Sequence, residues 1–453
     1  MKLMSPMDSM FLIGETREHP MHVGGLQLFT PPDGAGPDFI PDIYAAMLAC
    51  EDIQPAFRKR PARRLVGGFT NIAWEFDDDI DIEHHVRRSA LPTPGRIREL
   101  LELTSRLHGT LLDRHRPLWE AHVIESPRDG RFAVYTKVHH ALVDGVSALK
   151  LMQRSLSTDP GETEIRVPWA VPPRPRQGEE APPKGRSRLS RVKRSRGGFS
   201  RSSLSSIRAG LREQQLTLPY RSPRSMLNVP IGGARRCAAQ SWSLERIGKV
   251  KDAVGATVND VVLAMCAGAL RTYLIDLNAL PDTPLIAMVP VNVRAENDPG
   301  GGNAVSTVLC NLATHLDDPA ERLETIRTSM SKNKEVLAQM PRAQAMALGM
   351  LVLALPVVSG LPGFRTAAPP PYNITISNVP GPREQLYCNG ARLDGNYPLS
   401  IALDGQALNI TVASGADRLD FGLVGCRRSV PHLQRLLGDL EAALTDLEQA
   451  VTV

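Results

Sequence analysis

The stretch of this 453-residue sequence best suited to chemistry is His139-His140-Ala141-Leu142-Val143-Asp144-Gly145. It closes a largely apolar run from Phe132 to Val138 and so reads as the tip of a strand. An imidazole with an ordinary pKa of about 6.5 is largely neutral at pH 7 and can remove a proton from a hydroxyl. Strand side chains alternate, so Phe132, Val134, Thr136, Val138 and His140 share one face, and Tyr135, Lys137 and His139 the other. The two rings point apart, and one of them serves a given site. His84-His85 is an internal comparison: Ser89 stands where the Asp would be and Ala90 where the Gly would be, so this pair reads as structural.

Other chemistries lack their residues. Neighbouring strand positions diverge and there is no HExxH, so no metal site is expected. There is no GxSxG, no Cys in a motif with a partnered His, no P-loop and no GxGxxG; Gly300-Gly301-Gly302-Asn303 has the wrong spacing. Direct attack of a hydroxyl on an activated acyl donor, with His as base, is what stays open.

Several elements must hold this motif. Strands are expected at 120–125 and 132–140, joined by a turn at 126–130. Val146, Leu149, Met152 and Leu156 predict a helix starting near Asp144, and the leucines from Ile97 to Leu112 predict another. In the second half, Val258, Val261, Val262, Met265, Ala269, Leu270 and Tyr273 mark a long helix, with Thr257 as N-cap and Asp260 as its capping partner. Strands follow at 286–293, 372–378, 407–414 and 418–426, then a terminal helix at 431–448. The run Ala345 to Leu361 is uncharged but short for a membrane span and contains Gly349, Pro356 and Gly360; it reads as a buried helix or a lipid-contacting surface.

The length predicts two domains, at 1–166 and 237–453, around a Pro/Ser-rich linker at 167–236. Residues 171–236 carry 16 Lys and Arg against three acidic residues, whereas the rest carries 37 basic and 45 acidic. The basic excess is local, so it does not point to nucleic acid. It fits a solvated linker, or a segment that holds anionic lipid head groups or the phosphates of a cofactor. Six scattered Cys and an N-terminus without a long apolar core predict a cytoplasmic protein without structural disulfides or zinc.

Taken together, these motifs resemble the bacterial wax ester synthase / diacylglycerol acyltransferase family, within the CoA-dependent acyltransferase superfamily. The resemblance is carried by Ser5-Pro6-Met7-Asp8, Pro20 to Gly25, Pro117-Leu118-Trp119, HHxxxDG, Asn259-Asp260, Val289 to Arg294, Gly302-Asn303 and Asn378-Val379-Pro380-Gly381-Pro382. It implies an α/β fold of two chloramphenicol-acetyltransferase-like sandwich domains with an active-site tunnel between them. It implies that His140 takes the proton of a fatty alcohol or diacylglycerol, whose oxygen attacks an acyl-CoA thioester. Acyl-CoA is then a co-substrate, and no cofactor is bound permanently. His139, Asp144 and Gly145 complete the motif: Asp144 shapes the site, with Arg294 as partner, and Gly145 lets backbone approach the thioester. Asn259 is the candidate oxyanion donor or positioning group, and otherwise an ordinary first-turn residue. Asp260, Pro117, Leu118, Trp119, Asn378, Pro380 and Gly381 support the site, and Gly349 and Gly360 leave room in an acyl pocket. Water-insoluble substrates imply a place on the inner membrane or lipid inclusions. The alternatives are a condensation-type acyltransferase with a carrier-bound donor, and a non-catalytic lipid-droplet surface protein.

Overall fold

The structure, a computed structural model, describes residues 2–62, 73–126, 130–172, 221–292, 305–340 and 369–451. In chain order the strands are β1 (Lys2–Leu3), β2 (His22–Thr30), β3 (Lys59–Pro61), β4 (Ala73–Phe76), β5 (Val86–Ala90), β6 (Trp119–Glu125), β7 (Phe132–His139), β8 (Arg235–Ser243), β9 (Ile286–Asn292), β10 (Val305–Asn311), β11 (Ile374–Val379), β12 (Tyr387–Cys388), β13 (Ala391–Leu399), β14 (Leu408–Ser414) and β15 (Arg418–Cys426). The helices are α1 (Pro6–Gly14), α2 (Phe39–Leu48), α3 (Ile82–His85), α4 (Ile97–His108), α5 (Gly145–Arg154), α6 (Leu244–Val254), α7 (Val258–Asp276), α8 (Pro319–Ala338) and α9 (Arg435–Val451).

Two six-stranded sheets dominate, in the orders β12-β13-β2-β7-β6-β5 and β10-β9-β11-β14-β15-β8, with a small sheet β1-β4-β3 beside them. Every residue of β7 is buried, because apolar cores cover both of its faces. Phe132, Val134 and Val138 pack with Trp119 and Val123, whereas Ala133 and Tyr135 belong to a core that also holds Val262, Met265, Leu408 and Phe421. That second core draws residues from both sheets.

The expected strands and helices form, with two kinds of difference. The helix from Ile97 stops at His108, capped at Gly109, so Leu111 and Leu112 lie beyond it. The terminal helix starts at Arg435 rather than near 431. The long helix α7 has the reciprocal cap: Thr257 Oγ1 accepts from the Asp260 N–H at 3.2 Å, and Asp260 Oδ2 accepts from the Thr257 N–H at 2.9 Å. By length and hydropathy α7 could cross a membrane, but 72% of its apolar window is buried inside the protein.

The chain boundaries at 166 and 237 do not divide the sheets. β13, deep in the second half of the chain, pairs antiparallel with β2, from Arg392 opposite Thr30 to Leu399 opposite Gly24. The stretch assigned to the linker is packed at both ends. Trp169 stacks on Trp119 at 4.8 Å, and Leu227 and Ile231 are buried in the shared core. Its basic middle, 173–220, lies outside the described residues, as do 293–304 and 341–368.

Candidate active site

β7 ends at His139, and the chain then turns tightly. The Leu142 N–H donates to the His139 carbonyl at 2.9 Å, and α5 begins at Gly145. Backbone bonds hold the turn from two sides. The His139 N–H donates to the Leu118 carbonyl at 2.9 Å, and the His140 N–H to the Met21 carbonyl at 2.8 Å. The Pro117-Leu118-Trp119 segment therefore acts through main chain and packing. Leu118 is buried with Ala141, and the Trp119 indole donates to the Phe57 carbonyl at 2.9 Å. His85 stacks on Trp119 at 4.4 Å with Nδ1 2.7 Å from the Trp119 carbonyl, a structural place for the first histidine pair.

The two rings of the motif have different surroundings. His139 is fully buried, and its Nδ1 accepts the Ala141 N–H at 3.0 Å. Its proton must then sit on Nε2, which faces Glu15 Oε1 at 3.4 Å. Glu15, the C-cap of α1, also accepts the Met21 N–H at 3.1 Å, and its other oxygen takes Arg114 Nε and Nη2 at 3.0 and 2.9 Å. Burial alone would raise the Glu15 pKa; His139, the Met21 N–H and Arg114 outweigh it and hold the carboxyl below its ordinary value.

His140 is only partly exposed and lies against Phe11 of α1, with ring centroids 4.3 Å apart and planes 20° from parallel. Burial lowers its pKa; contact with its own carbonyl and the carboxylates of Asp144 and Asp8 oppose that without overcoming it. The ring is consequently a neutral imidazole at pH 7, able to accept a proton. Beneath the motif lies a second polar layer. His22, paired with His139 across the ladder, has Nε2 2.8 Å from the His108 carbonyl. The Lys137 ammonium, also buried, donates to the Leu107 and Thr110 carbonyls at 3.1 and 3.0 Å and sits 3.2 Å from Glu120. Burial pushes the pKa of His108 down to about 3, so this layer holds a neutral imidazole beside the Lys137 charge.

Asp144 is the N-cap of α5: Oδ1 accepts the Ser147 N–H at 2.9 Å and Oδ2 the Ser147 hydroxyl at 2.7 Å. Among the described residues an added Cβ at Gly145 would meet Val23 Cγ1 alone, at 3.8 Å, an ordinary contact distance. Gly381 is the opposite case, because a Cβ there would lie 1.9 Å from the Ser414 carbonyl oxygen. Asn378 lies on β11 opposite Val412, and its buried Oδ1 has no hydrogen-bond partner among the described residues; Pro380 is exposed. Between them Val379 packs with Val23, Leu149 and Met152, which ties this segment to α5 and β2. Asn259 is half-buried in the first turn of α7; no hydrogen bond or ion pair joins its side chain to the His139–Asp144 segment. Asp260 is a buried cap. Arg294, Gly349 and Gly360 lie outside the described residues. No group of three or more His, Cys, Asp or Glu among the described residues could hold a metal ion.

Three residues were not singled out from the sequence: Phe11, Glu15 and Arg114. They lie up to 129 positions from His140, with no spacing to connect them. Phe11 and Glu15 do follow Ser5-Pro6-Met7-Asp8 within one helix, the only sequence signal that could have drawn attention to them.

Fold and site together define a two-lobed HHxxxDG acyltransferase. The profile of the wax ester synthase/diacylglycerol acyltransferase catalytic domain matches residues 4–262, and that of the WS/DGAT C-terminal domain matches residues 301–448. The chain belongs to the wax ester synthase/diacylglycerol acyltransferase family, and its activity is that of an O-acyltransferase. It is 62% identical, over the whole length of both chains, to a Mycobacterium tuberculosis protein named "Probable diacyglycerol O-acyltransferase tgs2". It is 41% identical to O-acyltransferase WSD of Acinetobacter baylyi, covering 100% of this chain and 98% of that one. The solved wax ester synthase/diacylglycerol acyltransferase of Marinobacter aquaeolei VT8 superposes with a TM-score of 0.80 at 40% identity, covering 100% of both chains. A starter condensation domain of rhizomide synthetase shares the fold alone, with a TM-score of 0.56 at 12% identity.

Proposed function

We propose that this protein joins a long-chain acyl group from acyl-CoA to the hydroxyl of a fatty alcohol, forming a wax ester, and to diacylglycerol as a second acceptor, forming triacylglycerol. His140 is the general base. In the neutral ring one nitrogen carries no proton and takes the acceptor's. The alkoxide oxygen bonds to the thioester carbon while negative charge gathers on the carbonyl oxygen. The tetrahedral intermediate collapses, the C–S bond breaks, and the departing thiolate takes the proton back from His140. Atoms balance without an acyl-enzyme, a metal or a resident cofactor. Asn259 is the candidate donor to the oxyanion. Asp144 braces the turn as a helix cap, with Arg294 as its proposed further partner, and the segment containing Gly349 and Gly360 is the proposed acyl wall. Both acceptors are insoluble in water, so the enzyme works on a membrane or lipid-inclusion surface facing the cytoplasm.

The observation that carries this reading is the partly exposed His140 ring, stacked on Phe11 and held through its main chain to Met21, at a turn that the Glu15–Arg114 pair braces. The test is release of free thiol from palmitoyl-CoA with hexadecanol or a diglyceride. His140→Ala should lower kcat by about 10²–10⁴-fold. If no acceptor gives thiol release that depends on His140, the reading fails. Offering both acceptors together measures which product dominates.

A further inference from the structure

A second concave site lies away from the motif. Arg106 of α4, Arg235 and Arg236 at the start of β8, and Arg427 just after β15 line a surface pocket of about 250 Å³, with Glu102 and Ser105 on its wall. One ladder and one hydrogen bond assemble it. Arg235 pairs with Cys426 across β8 and β15, and the Cys237 N–H donates to Ser105 Oγ at 2.8 Å, fixing β8 to α4. Among the described residues the carboxylate on the wall is Glu102, and it is already engaged, accepting from Arg98 Nε at 3.2 Å. Arg235 is 5% exposed, and its N–H groups go to the carbonyls of Gly232, Glu18 and Ala402. The guanidinium groups of Arg106, Arg236 and Arg427 make no hydrogen bond or ion pair among the described residues.

Gathering four guanidinium groups around one concavity is electrostatically unfavourable unless an anion enters it. A concave basic wall concentrates anions, and guanidinium forks match phosphate oxygens two N–H groups at a time. We propose that this pocket is a phosphate-binding subsite. Two ligands present the required chemistry: the 3′-phosphate and diphosphate of the CoA donor, and the head group of an anionic phospholipid. The first rests on the function proposed above. The pocket also connects with the active site through α4. His108, one turn beyond Ser105, bonds through its carbonyl to His22, the strand partner of His139.

The test uses the full-length protein and the double variant Arg106→Ala/Arg427→Ala, which changes two exposed side chains and leaves buried Arg235 in place. Calorimetric titration compares CoA with 3′-dephospho-CoA. Sedimentation compares phosphatidylcholine vesicles with and without phosphatidylglycerol. If the phosphate is the donor's, the native protein prefers CoA by roughly tenfold or more and the variant loses that preference. If it is a lipid's, the native protein sediments with the anionic vesicles, the variant does not, and CoA binding is the same in both. Arg106→Lys/Arg427→Lys should retain part of whichever effect is seen. A double alanine variant that matches the native protein in both arms overturns the subsite. Both readouts are equilibria, so they stand apart from turnover: absence of thiol release would sink the acyl-transfer reading and leave this one to be judged on binding.

Discussion

Glu15 Oε1 faces His139 Nε2 at 3.4 Å, and the same oxygen takes the N–H of Met21, the residue whose carbonyl holds the backbone of His140. One carboxylate, anchored by Arg114, thus fixes both histidines of the motif, one through its ring and the other through its main chain.

Replacing that carboxylate should cost both stability and rate. Glu15→Gln leaves Arg114 without its ion pair, and because Arg114 is 32% exposed the loss should be about 2–3 kcal/mol rather than the full value for a wholly buried pair. The folded pKa of Glu15 is lowered, so the native pair adds stability above the unfolded carboxyl's pKa and loses it as pH falls through the folded value. Urea titrations from pH 7 down to pH 3 should show this decline in the native protein and a flatter profile in Glu15→Gln. Equal slopes would remove Glu15 from the account.

The two histidines should fail differently. His140→Ala should fold normally and lose turnover. His139→Ala strands the Ala141 N–H and opens a buried space, so it should lose about 1–3 kcal/mol from the unsatisfied donor and more from the cavity. Thermal unfolding read beside kcat separates the two. A stable but inactive His139→Ala would move the base to the first ring.

The pH–rate profile should have its acid limb below the ordinary His value of about 6.5, because burial lowers the His140 pKa. Stability follows the same sign: the neutral buried ring contributes above the unfolded pKa, and the contribution is lost as pH falls through the folded one. Asp144 opposes that lowering. Asp144→Asn should therefore shift the limb further down, and although the amide still caps α5, loss of the charge proposed to pair with Arg294 should lower the melting temperature as well. A limb that stays in place would show that the Asp144 charge does not reach the base.

Two glycines make opposite forecasts. Gly381→Ala drives a Cβ into the Ser414 carbonyl and should destabilise by about 1–3 kcal/mol or more. Gly145→Ala meets, among the described residues, Val23 alone at contact distance and should leave the melting temperature nearly unchanged. If the thioester passes over that backbone, kcat/KM falls in Gly145→Ala all the same. Unchanged kinetics would put the substrate elsewhere.

Much of the architecture was legible because it is local. The strand before His139, the cap at Asp144 and the Thr257–Asp260 box are each written within a few residues. β2 was not, because Gly24 and Gly25 interrupt its run of apolar side chains. In the fold they admit the Tyr135 ring and the Met152 thioether, which an added Cβ would approach to 2.9 and 2.6 Å. β13 was not legible either, since Arg392, Asp394, Gly395, Asn396 and Pro398 break any apolar run, and nothing local says which sheet receives it. At the site, the position of the two rings at the end of β7 could be read from the motif. The clamp on that motif could not, because Glu15 and Arg114 meet it only through the tertiary fold.

The insertion of β13 between β2 and β12 also limits how the molecule can move. Its hydrogen bonds to β2 stitch the two lobes together, so they cannot swing wide apart without tearing a sheet. The lipid reactants proposed above would then come and go by side-chain and loop adjustments rather than by a gaping of the halves. A fragment ending before Ala391 would leave the β2 edge bare, a surface prone to self-association.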